Sequence, residues 1–152
     1  MLLGEIITNN RARFVGKAEN WEDAIRLSCG LLIEDGSVSP GYAEEIIGAV
    51  HELGPYIALM PGFVLPHAMK NSAHVHSTAI AFMKLGQPVS FVKDNSEKDA
   101  SVFFTLAARD SDEHLKNMRK LWKMLTNEDL CADLLKVSSM EELAALDTKY
   151  SS

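Results

Sequence analysis

The sequence predicts one α/β domain, and three observations carry that expectation. Two runs, residues 77–85 and 102–108, are nearly continuous in apolar residues, as sheet strands covered on both faces must be. Segments with apolar residues at helical spacing lie before and after them. No repeat, linker or low-complexity stretch divides the 152 residues, and 47% hydrophobic against 24% charged residues is enough to build a core.

Taken in order, residues 13–16 give a short strand signal. Asn20 then caps a helix with apolar positions Trp21, Ala24, Ile25, Leu31 and Leu32, and Asp35-Gly36 ends it. Ser39 precedes Pro40, a favoured first-turn residue, and opens a second helix through Tyr42, Ile46, Ile47 and Val50 that stops near Gly54-Pro55. Residues 56–65 are apolar but interrupted by Pro61-Gly62, which predicts two short strands or one strand with a sharp break. After the two main strands, with residues 87–91 as a short partner and the polar stretch 94–99 as a solvated turn, Arg109-Asp110-Ser111-Asp112 supplies caps for a third helix. Its expected apolar face is Leu115, Met118, Leu121, Trp122 and Leu125, with His114 in the first turn. Asn127 caps a short helix through Leu134, and Ser139 with Glu142 forms a capping-box pattern for a last one through Leu146.

Charge and cysteine usage narrow the class. Asp and Glu outnumber Lys and Arg by 21 to 15, a net charge of -6 with no basic cluster, so no nucleic-acid partner is expected. Cys29 and Cys131 both sit in apolar helical patterns and read as small buried hydrophobes, which points to a reducing compartment. The start, Met1-Leu2-Leu3-Gly4-Glu5-Ile6-Ile7, lacks a basic leader, and no run approaches a membrane span, so a cytoplasmic chain without membrane insertion is expected.

The candidate chemistry lies in the histidines. His67 closes the run Pro61-Gly62-Phe63-Val64-Leu65-Pro66-His67-Ala68, where an apolar segment stops at a proline and presents one imidazole. Such a ring can take a phosphoryl group, a proton or a metal. His114 stands where helix amides and the positive end of the macrodipole help hold an anion, so the two suggest a phosphate-handling pair. His74 and His76 form a His-x-His spacing that with His67 would make a three-nitrogen zinc site, but Met69-Lys70-Asn71-Ser72-Ala73 reads as loop and no acidic residue stands close in sequence to orient the ligands. His51, near a helix end, reads as a surface residue. No Gly-x-Ser-x-Gly elbow and no Gly-rich phosphate loop is present, so neither serine catalysis nor a nucleotide donor is expected, and no cofactor or metal is assigned.

These residues resemble the enzyme IIA components of the bacterial phosphoenolpyruvate-dependent sugar phosphotransferase system, of the mannitol/fructose type. The resemblance rests on residues 61–68, on the preceding Gly54-Pro55-Tyr56, on Ala107-Ala108-Arg109-Asp110 followed by Glu113-His114-Leu115, and on Trp21-Glu22-Asp23-Ala24-Ile25 with Leu31-Leu32. It covers nearly the whole chain, as one domain over residues 1–152 with its core at about residues 5–147, and the Gly-Pro-Tyr spacing looks closest to the ascorbate-type branch.

The resemblance implies a mixed central β-sheet flanked by helices on both sides. It also implies a cytoplasmic phosphocarrier in which His67 accepts a phosphoryl group from the phosphocarrier HPr and passes it to an enzyme IIB, working with a membrane enzyme IIC. His114 would be the second histidine of the site, orienting the phosphoryl group as a hydrogen-bond donor without being phosphorylated. Ascorbate-type members often carry an arginine two residues after the acceptor; here Met69 stands there, and Lys70 is the candidate replacement, a flexible point charge without a guanidinium fork. Phe63, Val64 and Leu65 are expected to shield the site and to offer a docking surface. Two other readings stay open: a regulatory binding module of the same fold that reports phosphorylation state, and a zinc-dependent hydrolase built on His67, His74 and His76.

Overall fold

Side chains alternate between the two faces of a strand, so a strand that is apolar throughout needs cover on both. The described residues of the computed structural model, 1–69 and 71–151, meet that need with four strands between two helical layers. The order is α1 (Leu2–Thr8), β1 (Ala12–Val15), α2 (Trp21–Glu34), α3 (Gly41–Leu53), β2 (Gly62–Val64), β3 (Ala79–Ser90), β4 (Asp99–Ala107), α4 (Ser111–Leu125), α5 (Glu128–Leu134) and α6 (Met140–Tyr150). The strands lie in the order β1-β3-β4-β2. β1 runs parallel to β3 and β2 parallel to β4, while β3 and β4 are antiparallel, so the sheet is mixed.

Ala79, Ala81, Met83 and Leu85 of β3 face one core, with α2 and α3, where Ala24, Ile25, Cys29, Leu32 and Ile46 are buried. The alternate residues Ile80 and Phe82 join Val102, Phe104 and Leu106 of β4 in a second core beneath α1, α4, α5 and α6. Most of the expected caps are present. The side chains of Asn20, Asp110, Asn127 and Ser139 accept hydrogen bonds from the backbone amides of Asp23, Glu113, Leu130 and Glu142.

Several expectations are corrected. Residues 87–90 are no partner strand but the continuation of β3, which stays paired with β4 after a register shift between Lys84 and Val89. The shift absorbs the break in apolar pattern at Gly86-Gln87. Residues 56–65 form one strand, β2, and a single bridge between Met60 and Phe63, because Gly62 takes φ +88°, a left-handed conformation that glycine accepts without strain. Leu115 and Trp122 do not pack: each is 52% exposed, while α4 buries Asn117, Leu121, Met124 and Leu125. Ser39 does not cap α3; its hydroxyl pairs with His74 Nδ1 at 2.8 Å. Glu142 reaches past Ser139 to the amide and hydroxyl of Ser138. The N-terminal helix α1 carried no cap in the sequence, and its Leu2, Leu3 and Ile6 are buried only because α6 and the sheet lie beneath them.

Candidate functional site

His67 stands just past the end of β2, and its position is set by main-chain bonds on every side. The Leu65 amide donates to the Ile57 carbonyl at 2.9 Å, and the Leu106 amide donates to the Pro66 carbonyl at 2.9 Å, which ties the segment to β4. The ring Nδ1–H donates to the Leu65 carbonyl at 2.5 Å. That bond selects the tautomer that leaves Nε2 with its lone pair. Burial holds the ring pKa below its ordinary 6.5; the Leu65 bond opposes the shift and the charge of His114 adds to it.

β4 ends at Ala107, and the chain turns through Arg109 and Asp110 into α4. Asp110 accepts from the Glu113 amide with its carboxylate at 2.9 Å and from the His114 amide with its carbonyl at 3.1 Å, which fixes the first turn. The His114 ring then lies 5.4 Å from the His67 ring, at an interplanar angle of 32°. The ring of Tyr56 meets His67 edge-on at 5.3 Å. Both histidines line an open cavity of about 440 Å³ whose wall also includes Tyr42, Met69, Asn71 and Ser111. A phosphoryl group placed there would find an imidazole lone pair, a second imidazole and the start of a helix, where amides and macrodipole favour an anion.

The sequence-predicted residues divide clearly. His67 and His114, 47 positions apart in sequence, share one cavity. Lys70 lies outside the described residues. The trio His67, His74 and His76 is not brought together, and no group of three or more His, Cys, Asp or Glu able to hold a metal occurs among the described residues. His74 instead engages Ser39, and its ring lies against Gly41, where any side chain would collide with it. His51 is exposed and rests against Trp21 at 4.9 Å and Glu22 at 3.5 Å. Phe63, Val64 and Leu65 cannot form a docking surface, since each is at most 1% exposed; they are core residues of the edge strand β2 and its continuation. Met69, 55% exposed, and Leu115 supply apolar surface at the cavity instead.

Sequence reasoning missed Tyr42, Asn71 and Ser111. Tyr42 looked like any apolar helix position, and the partners of its hydroxyl, the Leu106 carbonyl at 2.6 Å and the Ala68 amide at 3.2 Å, come from other elements. No local pattern could have exposed that use.

Comparison with known proteins gives this geometry a family. The ascorbate-specific PTS system EIIA component of Shigella boydii is 31% identical over 113 residues, covering 74% of this chain and 72% of that protein. The solution structure of the mannitol-specific cryptic phosphotransferase enzyme IIA of Escherichia coli superposes with a TM-score of 0.85 at 28% identity, over 98% of this chain and 99% of that one. The crystal structure of IIA mannitol from Escherichia coli gives a TM-score of 0.73 at 26% identity, over 88% and 94% of the two chains. The family model for the phosphoenolpyruvate-dependent sugar phosphotransferase system, EIIA 2, matches residues 5–148, nearly all of α1 through α6, and the chain belongs to that family.

Proposed function

We propose that this chain is a phosphocarrier that accepts a phosphoryl group on Nε2 of His67 from phosphorylated HPr and donates it to an enzyme IIB, in the cytoplasm. The observation that supports the reading most directly is the bond from His67 Nδ1–H to the Leu65 carbonyl, which reserves Nε2 for the phosphorus. A new N–P bond forms at Nε2 as the bond between phosphorus and the donor carrier breaks, and the reverse exchange passes the group onward. No proton has to leave the ring first, because burial favours the neutral imidazole.

Phosphoryl transfer spreads charge over three equatorial oxygens, so the protein contributes position and donors more than covalent chemistry. His114 supplies one donor, Ser111 and the opening amides of α4 line the same wall, and Met69 with Leu115 offers apolar contact to the carriers. Sugar choice falls to the membrane component, since this site handles only the phosphoryl group.

Incubation with phosphoenolpyruvate, enzyme I and HPr should place one acid-labile, alkali-stable phosphate on the chain. His67→Ala should abolish it, and undiminished labelling there would overturn the assignment. His114→Ala should still be labelled, with onward transfer slower by about a hundredfold, the usual loss when one transition-state donor is removed. A labelled protein that donates to no IIB would favour a regulatory module.

A further inference from the structure

We infer that Tyr42 and Tyr56 are positioning residues of the acceptor, gripping the two ends of the single peptide group that joins His67 to Ala68; the inference rests on the phosphocarrier reading above. The Tyr56 hydroxyl donates to the His67 carbonyl at 2.6 Å, and the Tyr42 hydroxyl accepts from the Ala68 amide at 3.2 Å. These are the oxygen and the nitrogen of one planar unit. Turning that plane would break both bonds together.

The two tyrosines come from different places. Tyr42 is in the first turn of α3, 2% exposed, and its own hydrogen goes to the Leu106 carbonyl of β4, the strand that leads into His114. Tyr56 follows the end of α3, and its ring also meets the His67 imidazole at an interplanar angle of 89°. Burial raises both phenols, Tyr56 to about 12, so each keeps its hydrogen at neutral pH and can donate it.

The ring of His67 is thus fixed from upstream by the Leu65 carbonyl and from downstream by the clamped peptide. The clamp holds Cα, and with it the approach of Nδ1 to Leu65. Without it the ring is free to leave that carbonyl, and Nε2 loses its standing as the free nitrogen. In-line transfer is sensitive to such movement, since a displacement of about 1 Å can cost ~100-fold in rate.

The test uses Tyr42→Phe and Tyr56→Phe, which keep the rings and remove only the hydroxyls. Each should lower kcat for transfer from phosphorylated HPr by about tenfold or more while KM for the carrier stays within about twofold, because both hydroxyls are engaged with main-chain groups around the acceptor. Nitrogen-15 NMR of the unphosphorylated protein should show His67 protonated at Nδ1 in the wild type and a mixture of tautomers in the variants. Variants with wild-type kcat and an unchanged tautomer would overturn the clamp, as would a kcat that falls only in proportion to lost folded protein. If Tyr42→Phe does not fold, Tyr56→Phe, whose ring is half-buried, decides alone. The tautomer measurement needs no carrier, so a wild type that takes no phosphoryl group overturns the function while the NMR still judges the clamp.

Discussion

At His67 one carbonyl and one neighbouring ring set the chemistry. Burial lowers its pKa below 6.5, so the unfolded chain binds a proton that the folded chain resists. Folding stability should therefore rise with pH between the lowered native value and 6.5, level off above it, and fall as the solution is acidified through that window. The groups that share this environment are His114 and Tyr56. Urea midpoints at pH 5 and pH 7.5 check the expectation: the wild type should lose more stability on acidification than His67→Gln, and equal losses would contradict it. That His67 and His114 belong together was legible in sequence, as a histidine next to a proline and one at a helix start, and the two rings lie in one cavity. The part of Tyr42 was not legible, because a tyrosine on an amphipathic helix shows its ring to the pattern and hides its hydroxyl.

The helices show how much local chemistry can announce. Asn20, Asp110, Asn127 and Ser139 were all readable as caps, since a short polar side chain before an apolar run has one obvious amide to satisfy. At α4 that cap also determines where the His114 ring begins. Asp110→Ala should cost about 1 kcal/mol in a urea titration, with Asp110→Asn recovering most of that loss, because the amide oxygen still accepts from Glu113. The apolar face of the same helix was read less well. Leu115 and Trp122 recur at helical spacing with Met118 and Leu125, yet they lie outside the wedge that faces the sheet. Periodicity finds a stripe but not its edges, and only the neighbouring elements say how wide the buried sector is.

At the scale of the molecule, two cores share one four-stranded sheet, and the long strand β3 serves both faces of it. Gly86 lies where β3 passes the end of β1: a Cβ there would come within 2.8 Å of the Gly16 carbonyl, which accepts from the Gln87 amide at 3.0 Å. Gly86→Ala should destabilise the fold by roughly 1–3 kcal/mol through that backbone collision. Gly48, on the exposed side of α3 with open space around it, should behave oppositely, Gly48→Ala adding about 0.5–1 kcal/mol. Thermal unfolding of the two variants against the wild type measures both signs. By itself the sequence determined the α/β class, the strands at 77–85 and 102–108, the ends of most helices and the two histidines worth pairing, because each is written in the spacing or the type of neighbouring residues. The tertiary structure alone decided the continuation of β3 past its register shift, the docking of α1, the exposure of Leu115 and Trp122, the burial of Phe63, Val64 and Leu65, and the hydroxyl grip on the peptide after His67. Each of these depends on contacts between residues far apart in the chain, whose partners no local pattern can name.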